Sequence, residues 1–332
     1  MLRSNGTTAG TASISWAALI ALALAGAGCG QGSASKATFE RIYTVTGPIR
    51  LEVYGTSGNV QITGSTDNQV HIRGDVYARG IFGDPGKRAL QIAENPPIEQ
   101  KPDIIRLGKE MRGFSNTSIS YTISVPRATE VQTNVVSGSQ SVRDVQGPVR
   151  IESVSGSVEV SHVDRGASIT TVSGSIEAGD LGDDLRASSS SGSIEVGRAK
   201  GDVRIRSTSG TLTVTGPGAR VEAATSSGSV EISGAGNDVT ASTVSGRVQV
   251  QGNPSGNSYW NLKTTSGSVN VAVPPSSNFH LSAQAVSGEI RTGIPILIED
   301  QDKHSLRARV GNAGGRVEIH TVSGGIRVEP AS

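Results

Sequence analysis

The sequence predicts an all-β protein: a parallel β-solenoid with about 18 residues and two short strands in each coil, preceded by a β-rich N-terminal cap. Three observations support this fold class. A Ser-Gly pair recurs every 18 residues from 137 to 246, glycines recur in that interval at or within one residue of every ninth position, and apolar residues alternate with polar ones between the glycines. A fixed short period is typical of stacked, nearly identical units.

The first 28 residues are predicted to be a signal peptide of the lipoprotein type. Residues 14–24 form an apolar stretch that is too short to span a bilayer as a helix. Small residues, Ala27 and Gly28, stand directly before Cys29, as in a bacterial lipobox. The sequence therefore predicts lipidation at Cys29, and the alternative is a plain secretory signal with an incidental cysteine.

A flexible tether is predicted over residues 29–36, followed by a β-rich cap region over 37–126. The segments "FERIYTV", "IRLEVYG", "NVQITGS" and "QVHIRGDVYAR" alternate in hydrophobicity and predict four strands. One short helix is predicted at about 87–94, and "IIRLGKEM" and "SISYTISVP" are predicted to form a strand pair. A cap is expected because an open terminal coil would expose unpaired backbone.

Repeats of about nine residues define the solenoid, which is predicted over residues 127–330. Units such as "SGSVEVSHV" and "KGDVRIRST" place β-branched residues at period two, which puts them on one face of a strand. The glycine ends each strand because a tight corner favours a residue without a Cβ atom. Two strands and two corners then complete one coil.

Two sets of positions are predicted to line a narrow core. One lies three residues after each repeat serine, and the other lies six residues before it. The sets are Val158, Ile176, Ile194, Leu212, Val230 and Val248, and Val149, Ala167, Leu185, Val203, Val221 and Val239. Because these side chains are small, the core is expected to have hardly any room for tryptophan.

Two alternative structures are less consistent with the pattern. Low-complexity disorder would not preserve strict apolar alternation. A triangular coil of three hexapeptides also has 18 residues, but it would not produce a nine-residue phase of glycine and valine. Residues 292–312 interrupt the rhythm, and because the interval between Ser287 and Ser323 is twice 18, the insertion is predicted to replace one coil.

Composition argues against several classes of function. The net charge is +1, which gives no electrostatic case for binding nucleic acid. The five histidines are scattered without the spacing of metal ligands. Aspartates such as Asp144 and Asp180 show no consistent column, which disfavours a calcium-binding β-roll. We therefore predict no catalytic residues, no metal and no cofactor.

Charged residues form two outward columns in the predicted solenoid. Glu159, Glu177, Glu195 and Glu231 share the position four residues after the repeat serine, and Arg150, Arg186 and Arg204 share a column on the other sheet. We expect an acidic face and a basic face. The acidic column is a possible binding stripe for a cation or a cationic peptide, and the alternative is a solvated face that only maintains solubility.

The repeat serines form a further column. Ser137, Ser155, Ser173 and Ser191 are expected to stack and to hydrogen-bond along the ladder. We interpret this column as a source of stability rather than as a site.

Reiterated segments carry a family resemblance. "TVSGSIEA", "SSGSVEI", "TVSGRVQV" and "TVSGGIRV", together with the leading "IRLEVYGTSGNVQITGS", resemble the bacterial DUF4097 family over roughly residues 40–328. The resemblance implies an adhesin-like β-solenoid in the envelope or outside the cell, with no known enzymatic activity. Some relatives are tied to envelope-stress responses.

The predicted function is that of a non-enzymatic, exported, lipid-anchored envelope or surface protein. Its rigid solenoid would serve adhesion, scaffolding or an envelope-stress-related interaction. The expected partner is an envelope component, a polysaccharide or a protein, and not nucleic acid. The expected location is the outer membrane or the outer face of the cytoplasmic membrane, or otherwise outside the cell. Two alternatives are a self-assembling, filament-like structural protein and a carbohydrate-active β-helix enzyme.

Overall fold

The computed structural model describes residues 33–80, 84–109, 116–254, 256–312 and 314–331, and these are almost entirely β-strands. The predicted fold class, an all-β parallel β-solenoid, is confirmed. Both the predicted signal peptide and Cys29 lie outside the described residues. Within the described ranges, no helix has the length and hydropathy needed to cross a membrane.

Twenty-nine strands and one helix make up the described chain. The N-terminal elements are β1 (Ser33–Thr44), β2 (Arg50–Ser57), β3 (Val60–Ser65), β4 (Gln69–Gly80), α1 (Pro85–Glu94), β5 (Ile98–Gln100), β6 (Ile104–Leu107) and β7 (Thr117–Pro126). The regular coils contain β8 (Glu130–Ser137), β9 (Gln140–Val145), β10 (Val149–Ser155), β11 (Val158–Val163), β12 (Ala167–Ser173), β13 (Ile176–Leu181), β14 (Leu185–Ser191), β15 (Ile194–Val196), β16 (Val203–Ser209), β17 (Leu212–Thr215), β18 (Val221–Ser227), β19 (Val230–Ala235), β20 (Val239–Ser245), β21 (Val248–Gly252), β22 (Tyr259–Ser266) and β23 (Val269–Val273). The C-terminal strands are β24 (Phe279–Ser287), β25 (Ile290–Thr292), β26 (Leu297–Gln301), β27 (Ser305–Val310), β28 (Gly315–Ser323) and β29 (Ile326–Pro330).

The strands form two sheets, and each coil contributes one strand to each sheet. Sheet A has the spatial order β1-β4-β7-β3-β9-β11-β13-β15-β17-β19-β21-β23-β29-β25. Sheet B has the order β26-β27-β24-β28-β22-β20-β18-β16-β14-β12-β10-β8-β2-β6-β5. The two inward faces pack against each other and enclose the core.

The register follows the 18-residue period. Val149 lies opposite Ala167 in sheet B, and Val158 lies opposite Ile176 in sheet A, with both pairs parallel. All twelve predicted core positions are buried. The coil with two strands per 18 residues is therefore confirmed, because every residue pairs with its equivalent in the next coil.

The corner glycine is required by close contact between coils. At Gly156 the φ angle is 124°, in a region that L side chains rarely adopt. A Cβ atom added there would lie 2.3 Å from the carbonyl oxygen of Gly138 in the preceding coil. The 18-residue recurrence of the corner glycine thus reflects both backbone conformation and stacking.

Hydroxyl groups stabilise the coils from a different column than the one predicted. The repeat serines such as Ser155 are exposed. The buried hydroxyls lie two residues earlier, where Thr243 Oγ1 donates to the Gly228 carbonyl at 2.9 Å and Thr225 Oγ1 donates to the Gly210 carbonyl at 3.3 Å. The alternation ends at the corner, where the two residues after the buried Ser153 are both exposed, so the repeat serine leaves the inward face.

The expectation that the core excludes tryptophan is wrong. Trp260 is fully buried and occupies the core column next to Val239. Its indole Nε1 donates to the carbonyl oxygen of Asn237 at 2.8 Å. The interval from Ser245 to Ser266 is 21 residues rather than 18, and the large ring lies at the start of β22, where the indole N–H reaches backbone.

The predicted cap region contributes directly to both sheets. Ser57 of β2 lies opposite Ser137 of β8, so β2 and β3 form a coil in the common register. A second coil, β6–β7, pairs with the other side of β2–β3. The predicted pairing of β6 with β7 is therefore wrong, since these strands lie in different sheets.

Antiparallel strands and the helix complete the N-terminal end. β4 pairs antiparallel with β7, and β1 pairs antiparallel with β4. α1 contacts both β1 and β4 and is capped by Asp84, whose carboxylate accepts a hydrogen bond from the Gly86 amide at 2.9 Å. Because β1 begins at Ser33, strand structure starts inside the segment predicted as tether.

At the C-terminal end, the spatial order of the coils differs from their order in the sequence. Residues 292–312 form no coil and contain the antiparallel hairpin β26–β27, which takes the place of one coil in the sequence and covers the edge of β24. The final strands, β28 and β29, lie between the coil β22–β23 and the coil β24–β25. The last coil in sequence is therefore the penultimate coil in space.

Candidate interaction surface

The acidic stripe, defined as Glu159, Glu177, Glu195 and Glu231, lies on the outward face of sheet A. Glu159 is opposite Glu177, and Glu177 is opposite Glu195, so three carboxylates occupy neighbouring strands. Thr213 stands between Glu195 and Glu231. The structure thus brings all four predicted residues into one column with a single interruption.

The four carboxylates of the acidic stripe differ in whether they form an ion pair within the chain. Glu159 forms an ion pair with Arg143, and the hydrogen bond between them raises the pKa of the Arg143 guanidinium. Glu177 forms no direct ion pair or hydrogen bond with a described residue, but its charge also helps to raise the pKa of Arg143. Glu195 and Glu231 form no ion pair or hydrogen bond with any described residue. Like charges on neighbouring strands destabilise a sheet, so these three carboxylates favour a cationic partner.

A histidine that the sequence reasoning set aside lies beside the stripe. His162 is placed between Asp144 and Asp180, with nitrogen–oxygen distances of 3.9 and 3.7 Å. These three residues have φ angles of 53° to 59° and form one column at the end of the sheet A strands. The expectation that the aspartates share no column is wrong for Asp144 and Asp180, and their spacing of twice 18 was the available signal.

Metal-binding clusters are not part of this surface. Across the described ranges, no three His, Cys, Asp or Glu residues are grouped so that they could hold a metal ion.

The predicted basic face of sheet B consists of ion pairs. Arg150, Arg186 and Arg204 do share an outward column, with Ser168 between the first two. Their guanidinium nitrogens lie 2.7, 3.7 and 3.4 Å from the carboxylates of Glu152, Asp184 and Asp202, respectively. This column therefore carries little free positive charge.

A second group of arginines lies at the C-terminal end of sheet A, where Arg291 forms an ion pair with Glu289 and Arg327 forms an ion pair with Glu329 at 3.2 Å. The arginine cluster, defined as Arg247, Arg291 and Arg327, borders a cleft of about 310 Å³ together with Ser268, Asn270, Glu289, Gly325 and Ile326. Arg291 and Arg327 stand side by side on β25 and β29. The hydrogen bond between Arg291 and Glu289, at 2.6 Å, raises the pKa of the guanidinium and lowers the pKa of the carboxyl. Sequence reasoning missed this cluster because the last coil is inserted out of order.

A family model matches part of the chain. Residues 181–329, from the end of β13 to β29, match the family described as Toastrack DUF4097. The resemblance to the DUF4097 family is confirmed. No curated protein matches the chain.

Solved structures show a distant likeness. One is a proposed cell adhesion protein from Clostridium sporogenes, with 10% identity, a TM-score of 0.21, and coverage of 88% of this chain and 99% of that chain. Another is a proposed adhesin from Bacteroides fragilis, with 14% identity, a TM-score of 0.30, and coverage of 88% of this chain and 96% of that chain. Both TM-scores are too low to transfer a function to this chain.

Proposed function

We propose that this chain is a non-enzymatic, exported, lipid-anchored protein of the cell envelope that presents its solenoid as a rigid interaction surface. The observation that carries this proposal is the outward face of sheet A. Its carboxylates project from an open, hydrogen-bonded sheet rather than from an enclosed cleft, and Glu177, Glu195 and Glu231 form no direct ion pair or hydrogen bond within the described chain. An open charged sheet face suits a macromolecular partner better than a small substrate.

The acidic stripe is the proposed docking site for a cationic envelope component, either a polysaccharide or a protein. Strands in a sheet are about 4.8 Å apart. Neighbouring carboxylates therefore lie within the Debye length of about 8 Å at physiological salt and attract a cationic partner together.

The anchor would hold the N-terminal end of the solenoid near a membrane. Strand β1 begins at Ser33, four residues after Cys29. Four extended residues span at most about 14 Å. Acylation of Cys29 would therefore keep β1 and α1 close to the bilayer surface.

Metabolic labelling tests the anchor. Cells expressing the chain are fed a clickable fatty acid, and the protein is followed in membrane and soluble fractions beside a Cys29→Ser variant. We expect label and membrane association in the wild-type protein and neither in the variant. An unlabelled wild-type protein in the soluble fraction would reject the anchor.

Titration with an oligolysine peptide tests the stripe. The triple variant Glu177→Gln/Glu195→Gln/Glu231→Gln should bind the peptide about tenfold more weakly, since exposed ion pairs contribute about 0.2–1 kcal/mol each. The control Asp164→Asn/Asp183→Asn/Glu299→Gln removes the same charge from other exposed positions. Equal losses in both variants would show that net charge, not the stripe, attracts the peptide.

A further inference from the structure

We propose that the outward face of sheet B, at the C-terminal end of the solenoid, binds an acidic polysaccharide whose sugar units carry carboxylates. This inference goes beyond the proposed function, which concerns the acidic stripe on sheet A. The surface, called the basic patch, lies on four neighbouring strands, β22, β28, β24 and β27. Its charged and ionisable side chains are Lys263, His280, Arg307, Arg309, Arg316, Glu318 and His320.

The strand register brings the side chains of the basic patch into rows. Arg316, His280 and Arg309 stand side by side on β28, β24 and β27. Lys263 stands beside His320, on β22 and β28. Each of these residues alternates with buried neighbours along its strand and therefore points outward. Since neighbouring strands are about 4.8 Å apart, the rows form an open surface along which a linear polymer can lie.

Positive charge predominates in the basic patch. Among the outward side chains of the four strands, all within the described ranges, Glu318 is the single carboxylate, and the cations are Lys263, Arg307, Arg309 and Arg316. One oxygen of Glu318 lies 3.8 Å from the Arg316 guanidinium, and the other accepts a hydrogen bond from the Tyr259 hydroxyl at 2.6 Å. The remaining three cations form no ion pair or hydrogen bond with any described residue. These charges therefore favour an anionic partner.

The uncharged side chains of the same face favour a sugar. Ser282 and Gln284 lie among the cations on β24 and can hydrogen-bond hydroxyl groups. Val322 and Val286 lie at the border of the face and are 50% and 70% exposed. Apolar side chains pack against the C–H faces of sugar rings, and guanidinium groups bind carboxylates through paired hydrogen bonds. The face thus combines the groups that recognise a carboxylated sugar.

An acidic peptide fits this end of sheet B less well. Extended peptides add to a sheet at its edge, and the edge strand here, β26, carries Glu299 and Asp300. Asp300 lies opposite Arg307 without forming an ion pair with it. An acidic strand at this edge would meet these carboxylates before it reached the cations, whereas a polymer that lies across the face avoids the edge.

An anionic membrane also fits the basic patch less well. The proposed anchor holds the N-terminal end of the solenoid at the bilayer. β24 lies ten strand spacings from β2 in sheet B, or about 48 Å. This distance is far beyond the Debye length of about 8 Å at physiological salt, so the basic patch is placed to meet envelope polymer rather than lipid headgroups.

Titration with polygalacturonate, a polymer of carboxylated sugars, tests the basic patch. The full chain carrying Cys29→Ser, which excludes an acyl group, should bind this polymer and release it at about 1 M salt. Lys263→Gln/Arg307→Gln/Arg309→Gln should bind about tenfold more weakly. The control Arg127→Gln/Arg165→Gln/Lys200→Gln removes the same charge from exposed positions without ion pairs to described residues, and it should bind normally. Equal losses in both variants, or no binding at all, would overturn the inference.

The border residues provide a second test. Val286→Ser/Val322→Ser should weaken polygalacturonate binding about threefold, because it removes apolar surface from contact with the sugar. Binding of polyphosphate, which has no ring face, should stay unchanged. Asp300→Asn should strengthen polygalacturonate binding, because it removes a carboxylate beside the cations. Equal weakening of both polymers by the valine variant would contradict the assignment to a sugar.

A comparison of probes distinguishes the partners. Polyglutamate and vesicles that contain an anionic lipid are titrated at the same concentration of negative charge, and both should bind more weakly than polygalacturonate. Equal or tighter binding of either probe would assign the surface to a peptide or to a membrane instead. The triple cation variant should bind oligolysine as the unchanged chain does, because the acidic stripe lies on the other sheet. Failure of the polysaccharide test would therefore leave the proposed function intact.

Discussion

At the scale of single residues, close packing and hydrogen bonds at the Ser-Gly corner hold each coil against the preceding one. The corner glycine leaves room for the carbonyl group of the corner glycine in the previous coil. A buried hydroxyl group on the core side donates a hydrogen bond to that carbonyl oxygen. Thr243, Thr264 and Thr321 all make this bond, at 2.9 to 3.3 Å. Thr171 occupies the same column, but its buried Oγ1 has no partner in the described chain.

Thr243 and Thr171 provide a matched pair of substitutions, because they occupy the same column and only Thr243 has a hydrogen-bond acceptor. Thr243→Val removes the donor to the Gly228 carbonyl and should destabilise the fold by about 1 kcal/mol. Thr171→Val replaces an unsatisfied buried hydroxyl and should be neutral or stabilising. Urea denaturation of both variants measures the difference, and equal destabilisation would show that the hydrogen bond is not the cause.

Gly156, at a Ser-Gly corner, and Gly236, in an open position, provide a second matched pair of substitutions. Gly156→Ala should cost at least about 2 kcal/mol, because it combines a positive φ with a backbone contact. Gly236→Ala adds a Cβ atom with no neighbour within 4 Å and should change stability by less than about 1 kcal/mol. Thermal unfolding followed by circular dichroism checks both values, and similar melting temperatures would contradict the stacking argument.

At the scale of elements, each end of the solenoid has one coil inserted between two others. β2–β3 lies between β6–β7 and β8–β9, and β28–β29 lies between β22–β23 and β24–β25. The inserted coil is paired on both sides in both sheets. At each end, two coils that follow one another in sequence, β6–β7 and β8–β9 or β22–β23 and β24–β25, are thus separated in space by an inserted coil.

Truncation after Asn312 tests the role of the inserted C-terminal coil. Without β28 and β29, β24 and β25 lose their parallel neighbours. Residues 279–310 should then exchange amide hydrogens rapidly, while residues 131–252 stay protected because each coil there keeps both neighbours. Hydrogen exchange read by mass spectrometry measures both regions. Unchanged protection of 279–310 would mean that the β24 coil can dock on β22 without the insert.

At the scale of the whole molecule, the ends of the solenoid disfavour end-to-end growth. β1, β4 and β5 at the N-terminal end and β26 and β27 at the C-terminal end are antiparallel to their neighbours. A filament of stacked coils needs continuous parallel register in both sheets, and these strands interrupt it. The sheet faces, and not the ends, therefore remain available for association.

Electron microscopy of the concentrated protein checks this prediction. We expect single particles or side-by-side contacts, because antiparallel strands end both stacks of coils. End-to-end filaments would contradict it and would favour the filament-like structural alternative. A sample in about 1 M salt serves as the control, since pairs held by exposed charges should separate there.

The sequence by itself determined the geometry of one coil and the stacking of coils in the middle of the solenoid. Alternation decides which side chains face the core, and the 18-residue period places Glu159 opposite Glu177 and Val158 opposite Ile176. These relations are local or between consecutive coils, so periodicity alone predicts them.

Only the tertiary structure decided the order of coils at the two ends, and with it the position of the arginine cluster. The physical reason is that every coil carries the same Ser-Gly corner and presents the same backbone register. Ser266, for example, pairs with Ser323 and not with Ser287, the next repeat serine in sequence. Backbone register alone therefore does not distinguish the two neighbours, and only the long-range packing of the end strands selects one.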